Sequence, residues 1–169
     1  MILHIRKSTG GVSVIRLRNV LQNELSSLSG LCLRSKAHWG YDAEFLAACR
    51  TELTIEFHEL LTTSLQVAER DATVVGLAQI KVMGANADLL KLFVEPAMLG
   101  AGIGRLLFEW ATAKAHELGA TRMMIEADPG AVPFYERMGA LHVGSVPSQS
   151  IPDRSLPRLL MRIGSTANA

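Results

Sequence analysis

At 169 residues, with 49% hydrophobic and 20% charged side chains, the chain has the material for a single globular domain with a substantial core. Its 17 basic and 16 acidic residues nearly cancel, which removes the electrostatic case for nucleic acid or a membrane surface as partner. No apolar run is long enough to span a bilayer and the start MILHIRKSTGG has no signal-peptide core, so a cytoplasmic location is the default expectation.

In chain order, residues 1–11 read as an N-terminal extension or a short strand, and alternation over 12–17 predicts the first secure strand. Asn19 is the expected N-cap of a helix whose apolar positions are Leu21, Leu25, Leu28, Leu31 and Cys32. Gly40 interrupts that pattern, and Asp42 caps a second helix carrying Phe45, Leu46, Cys49 and Leu53. Residues 64–69 and 73–82 then predict a hairpin across Arg70-Asp71-Ala72, and a turn at Gly84-Ala85-Asn86 leads into a strand over 88–94. A helix follows on Ile103, Leu106, Leu107, Trp110 and Ala111, with Gly119 as its stop. A strand over 122–127, a short helix holding Phe134 and Tyr135, and strands over 141–146 and 158–163 complete the order, with residues 165–169 as a frayed tail. Strand, two helices, three strands, helix, strand, helix and two strands predict an α/β fold with a mixed sheet. Cys32 and Cys49 lack a CxxC spacing and fall in helices, so free buried thiols are expected. The five histidines have no metal-ligand spacing, so no metal is expected either.

The most informative segment joins the strand over 88–94 to the next helix. Gly100, Gly102 and Gly104 leave backbone N–H groups bare at a helix start, where aligned peptide dipoles favour a phosphate or diphosphate. A P-loop needs a Lys-Ser/Thr pair that is missing here. A dinucleotide GxGxxG fingerprint would end on Arg105 or Leu107 instead of glycine, which disfavours a dinucleotide-dependent oxidoreductase.

The segment VEPAMLGAGIGRLL resembles motif A of the GNAT-type N-acetyltransferase superfamily, V-x-P followed by [QR]-x-x-G-x-[GA] at a helix start, with Leu99 in the Gln/Arg position. A second segment, Asp128 to Ala140, resembles motif B, N-x-x-A-x-x-F-Y-E-[KR]-x-G-F, with Gly130 read in place of the Asn and Ala140 in place of the final Phe. The two occur in the family's order and separation. The resemblance implies a GNAT-like acyl-CoA N-acyltransferase fold and acetyl transfer from acetyl-CoA to a primary amine by direct attack on the thioester.

It further implies that Leu92, Phe93 and Val94 offer backbone groups to the pantetheine and thioester. Leu99, Gly100, Ala101, Gly102, Ile103, Gly104 and Arg105 would hold the pyrophosphate, and Gly130, Phe134 and Tyr135 would complete the coenzyme site. Tyr135 is the implied general acid for the departing thiolate, with a core aromatic as the plainer reading. Glu126 is the candidate general base, unless it only holds Arg122, and Asp88 is a further candidate. His38, Trp39 and Tyr41, at the junction of the first two helices, are candidate acceptor-binding residues, and Arg154 can reach an acidic group on the acceptor or merely fix its loop. The acceptor is expected to be a small-molecule or peptide amine. The last strands offer a surface for a homodimer, and a noncatalytic coenzyme A-binding module is the alternative function.

Overall fold

The computed structural model describes residues 2–6 and 12–164. Residues 7–11 of the expected extension and the tail 165–169 lie outside them. Eight strands, β1 (Ile2–Arg6), β2 (Val12–Asn19), β3 (Ser64–Arg70), β4 (Thr73–Met83), β5 (Asn86–Val94), β6 (Arg122–Glu126), β7 (Leu141–Pro147) and β8 (Ser155–Arg162), form one sheet in the order β1-β2-β3-β4-β5-β6-β8-β7. The helices are α1 (Leu25–Ala37), α2 (Ala43–Leu53), α3 (Glu59–Thr62), α4 (Ile103–Glu117) and α5 (Val132–Arg137). Among these strands β5 and β6 are the neighbouring pair that runs parallel, and α4 makes the crossover between them. No helix among the described residues is long and apolar enough to cross a membrane.

The mixed α/β architecture is the expected one, with local differences. Of the two readings left open for the N-terminal residues, an extension or a short strand, residues 2–6 take the second and pair antiparallel with β2 at the sheet edge. Asn19 is the last residue of β2, opposite Gln66, and caps nothing. The turn into α1 is organised instead by Glu24, whose carboxylate accepts from the Leu21 amide at 2.9 Å and from the Arg18 guanidinium. Leu21 is therefore 55% exposed and off the apolar stripe, while Leu28, Leu31 and Cys32 are buried. The Asp42 cap does form, its carboxylate accepting from the Phe45 amide at 2.8 Å. The four-residue helix α3 carries too little periodicity to be read from sequence.

Helices cover both faces of the sheet. α1 and α2 bury Leu28, Leu31, Cys49 and Leu53 against Leu65, Val67, Leu77 and Phe93. On the other face α4 packs Ile103, Leu106 and Leu107 against Ala68, Ala78 and Val94. α4 also buries Phe108, which the sequence reading left off its apolar face, against Tyr135 and the cluster around Met123, Ile125 and Leu159. Trp110, one of the expected apolar positions of α4, is half-buried at the border of these two clusters.

Gly76 of β4 lets α4 approach this closely. A Cβ there would stand 2.9 Å from Leu107, 3.0 Å from the Phe93 carbonyl oxygen and 3.1 Å from Ile103. Gly76→Val is expected to destabilise the fold by about 2 kcal/mol through overpacking, measured as a lower urea midpoint at unchanged slope.

Two irregularities in β5 open the sheet. β5 pairs with β6 only from Asn86↔Arg122 to Leu89↔Ile125. Its register to β4 then slips, with Leu89 opposite Ile80 and Lys91 opposite Gln79, so Leu90 is an extra bulge residue. A bulge bends and twists its strand. Beyond it β5 diverges from β6, so residues 90–94 face a gap on that side while 91–94 stay paired with β4 on the other.

Candidate functional site

That divergence makes a cleft of about 1570 Å³, which passes through the sheet between the α4 side and the α1–α2 side. One wall is the free edge of β5 at Leu92, Phe93 and Val94, continued by the loop residues Leu99, Gly100 and Gly102. Gly100 and Gly102 have φ of +79° and +82°, backbone that glycine adopts freely and that costs other residues roughly 1–2 kcal/mol. Gly102 is the N-cap of α4 and has no capping side chain. The amides of Gly102, Ile103, Gly104 and Arg105 consequently donate to no group among the described residues, the first bond of the helix being Leu106 N–H to Gly102 C=O at 3.0 Å. Four orphaned N–H groups at the positive end of a 15-residue helix fit a diphosphate.

The Ala101 side chain packs into the core beside α4 instead of lining the cleft. Leu99 lines it but is half exposed. Arg105 lines the rim, where its guanidinium donates to Glu109 at 2.7 Å.

The opposite wall comes from the end of β6 and from α5, with Glu126, Gly130, Phe134 and Tyr135 all facing the cleft. Tyr135 is 7% exposed, its ring centred 5.1 Å from Phe134 and 5.7 Å from Phe108. Burial pushes its hydroxyl pKa well above the usual phenol range. Glu126 is exposed to the cleft, and it does not hold Arg122, whose Nε donates to Asn86 at 2.5 Å. Asp88 also lines the cleft, deeper along β5.

Gly130 has a specific reason to be glycine. A Cβ there would lie 2.5–2.6 Å from the Trp39 indole, which bridges from the end of α1 to the segment before α5. The motif spacing also needs correcting: three residues before Ala131 stands Asp128, not Gly130, and Asp128 is the polar centre of this wall. Its Oδ2 accepts from the Tyr41 hydroxyl at 2.7 Å and lies 3.5 Å from both Lys36 Nζ and Arg154. Its Oδ1 accepts from the Gly130 amide at 3.2 Å. One carboxylate thereby ties α1, the entry to α2, the β7–β8 loop and the start of α5 together.

Of the three junction residues only Trp39 lines the cleft. Tyr41 is stacked on Phe45 at 3.9 Å under Arg154, and burial with the Asp128 hydrogen bond raises its pKa to about 12. It buttresses the wall from behind. His38 is exposed and touches Trp39 edge-on. Arg154 fixes its loop by these contacts, and Ser150 adds a hydrogen bond to Glu52 of α2.

The sequence reading passed over Lys36, which is 8% exposed and pairs with Asp128. Its signal was available, since it lies one turn beyond buried Cys32 on the same helix face. Asp128→Asn leaves the buried Lys36 ammonium without its carboxylate and is expected to cost about 3 kcal/mol of unfolding free energy, measured by urea titration. Both cysteines are free and buried, and burial pushes the Cys32 thiol up to about 12.

The fold and the open helix start together define the class of protein. A family model for the acetyltransferase (GNAT) domain matches residues 35–146, well over half of the chain. The chain therefore belongs to the GNAT acetyltransferase family. Among solved structures it is similar to the PaiA N-acetyltransferase of Thermoplasma acidophilum in complex with coenzyme A, at TM-score 0.75 and 18% identity over 88% of this chain and 98% of that one. A GCN5-related N-acetyltransferase from Rhodopseudomonas palustris gives TM-score 0.73 at 19% identity, over 87% and 94% of the two chains. YncA from Salmonella typhimurium, a putative acetyltransferase with its cofactor acetyl-CoA, gives 0.65 at 16% identity, over 92% and 97%. No curated relative matches in sequence.

Proposed function

We propose that this acetyltransferase moves an acetyl group from acetyl-CoA to a primary amine by direct attack of the amine on the thioester. The observation that carries the reading is the uncapped, glycine-lined start of α4 opening onto the gap between β5 and β6. The amides of Gly102 to Arg105 would receive the diphosphate of the coenzyme, Phe134 would flank its arm, and the free edge of β5 at Leu92 to Val94 would bond the pantetheine and polarise the thioester oxygen. Acetyl-CoA supplies the activated acyl group.

The amine nitrogen forms its bond to the acyl carbon as the carbon–sulfur bond breaks. Glu126 takes the proton lost by the amine, directly or through water, and Tyr135 gives one to the departing sulfur. Trp39 walls the acceptor end. His38 and Tyr41, set behind it, act through Trp39 and Asp128.

Calorimetry with coenzyme A and NAD(H), followed by thiol release from acetyl-CoA over a panel of amines, tests the reading. Binding of the coenzyme alone, with amine-dependent thiol release, is the expected result. Preferential NAD(H) binding overturns it, and coenzyme binding with no release over any amine selects the noncatalytic module.

A further inference from the structure

The side of the cleft away from α4 carries a charge that the proposed chemistry leaves unused. Met123 and Ile125 of β6, and Ala127 just past its end, are buried towards α4 and α5, so Glu126 points to the opposite face, the one that α1 and α2 cover further along the sheet. Arg158 of β8 stands directly opposite Glu126 in the antiparallel register, next to buried Leu159, and shares that face. It lines the cleft, and its Nε is sealed from solvent with no hydrogen-bond partner among the described residues.

Three other cations around the cleft are committed, Lys36 to Asp128, Lys91 to Glu59 at 3.5 Å and Arg105 to Glu109, and Arg137, at the end of α5, is solvent-exposed. The terminal nitrogens of the Arg158 guanidinium are not sealed as its Nε is and have no hydrogen-bond or ion-pair partner among the described residues, so a ligand in the cleft can meet them, and an acceptor there offsets the cost of holding a half-buried cation unpaired. The two terminal nitrogens of a guanidinium form a planar fork that matches a carboxylate with two parallel hydrogen bonds.

We propose that Arg158 receives a carboxylate of the acceptor, so that the amine acetylated here belongs to an α-amino acid or to another compound with its carboxylate close to the amine. The inference rests on the acetyl-transfer reading above. Opposed residues on adjacent antiparallel strands have Cβ atoms about 5 Å apart. A zwitterion laid across β6 and β8 therefore presents its amine to Glu126 and its carboxylate to Arg158 together. A single negative charge suits the place, because the dianionic form of a phosphate would also meet Glu126 and Asp128.

The test uses the full chain, acetyl-CoA and matched probes: L-amino acids, the amines left when each loses its carboxylate, and O-phosphoethanolamine. The carboxylated member of each pair is expected to have at least a tenfold higher kcat/KM. Arg158→Gln should raise the KM for that member more than it lowers kcat and bring the pair's selectivity towards one, and Arg158→Lys should restore part of it. A residue that merely braced β8 would lower both members equally. Equal use of both members, preference for the decarboxylated amines or for phosphoethanolamine, or no turnover of any probe while acetyl-CoA binds, overturns the proposal. Failure to bind acetyl-CoA overturns the underlying reading instead.

Discussion

Tyr135→Phe should lower kcat by about 100-fold while leaving acetyl-CoA affinity within twofold, as read by steady-state thiol release and calorimetry. The ring is held between Phe108 and Phe134, and these contacts survive loss of the oxygen. A fold change of that size corresponds to about 2.7 kcal/mol of transition-state stabilisation, within the range that a positioned proton donor supplies. Burial holds the hydroxyl protonated well past neutral pH, so the donor form is always present. The same low-polarity surroundings also raise the basicity of the departing thiolate, which keeps the transfer feasible although the phenol is a weaker acid than in water. Titration of Tyr135 then contributes no alkaline fall in kcat below about pH 10. Wild-type turnover in the variant would show that Tyr135 is only an aromatic packing residue.

Gly104→Asp should weaken acetyl-CoA binding by at least 100-fold without lowering Tm. The two effects separate because the physics of the empty and loaded sites is opposite. A Cβ at Gly104 meets Phe134 at 3.5 Å, an ordinary contact, and a carboxylate in the first turn of a helix is favoured by the dipole and by the idle amides. The same carboxylate occupies and neutralises the place meant for the diphosphate and repels it. Gly104→Ala, which adds bulk without charge, is expected to fall between wild type and Gly104→Asp. Unchanged affinity in Gly104→Asp, measured by calorimetry, would detach the glycine run from the coenzyme.

The glycine run could be read from the chain because its meaning is local. Three small residues between an apolar strand and an amphipathic helix imply uncovered amides whatever surrounds them, and the aromatic pair Phe134-Tyr135 in its own motif reinforced the reading. Helix and strand periodicity placed most elements for the same reason, with α4 beginning where the glycines end. Where neighbours in space set the outcome, local reading failed. Asn19 has the chemistry of a cap, but pairing with β3 keeps it in the sheet and Glu24 shapes the turn instead. Gly130 looked like a lost side chain until Trp39, 91 positions earlier in the chain, was found against it.

Spacing, propensity and glycine placement belong to the one-dimensional pattern, and they were enough to state the mixed α/β class, the uncovered helix start and the family resemblance. The divergence of β5 from β6 depends on a one-residue slip against β4, and the pairing of Asp128 with Lys36 joins residues 92 positions apart. The unmatched Nε of Arg158 is defined by what surrounds it in the folded sheet. Register, burial and long-range charge pairing are properties of packed surfaces, and no run of neighbouring residues encodes them.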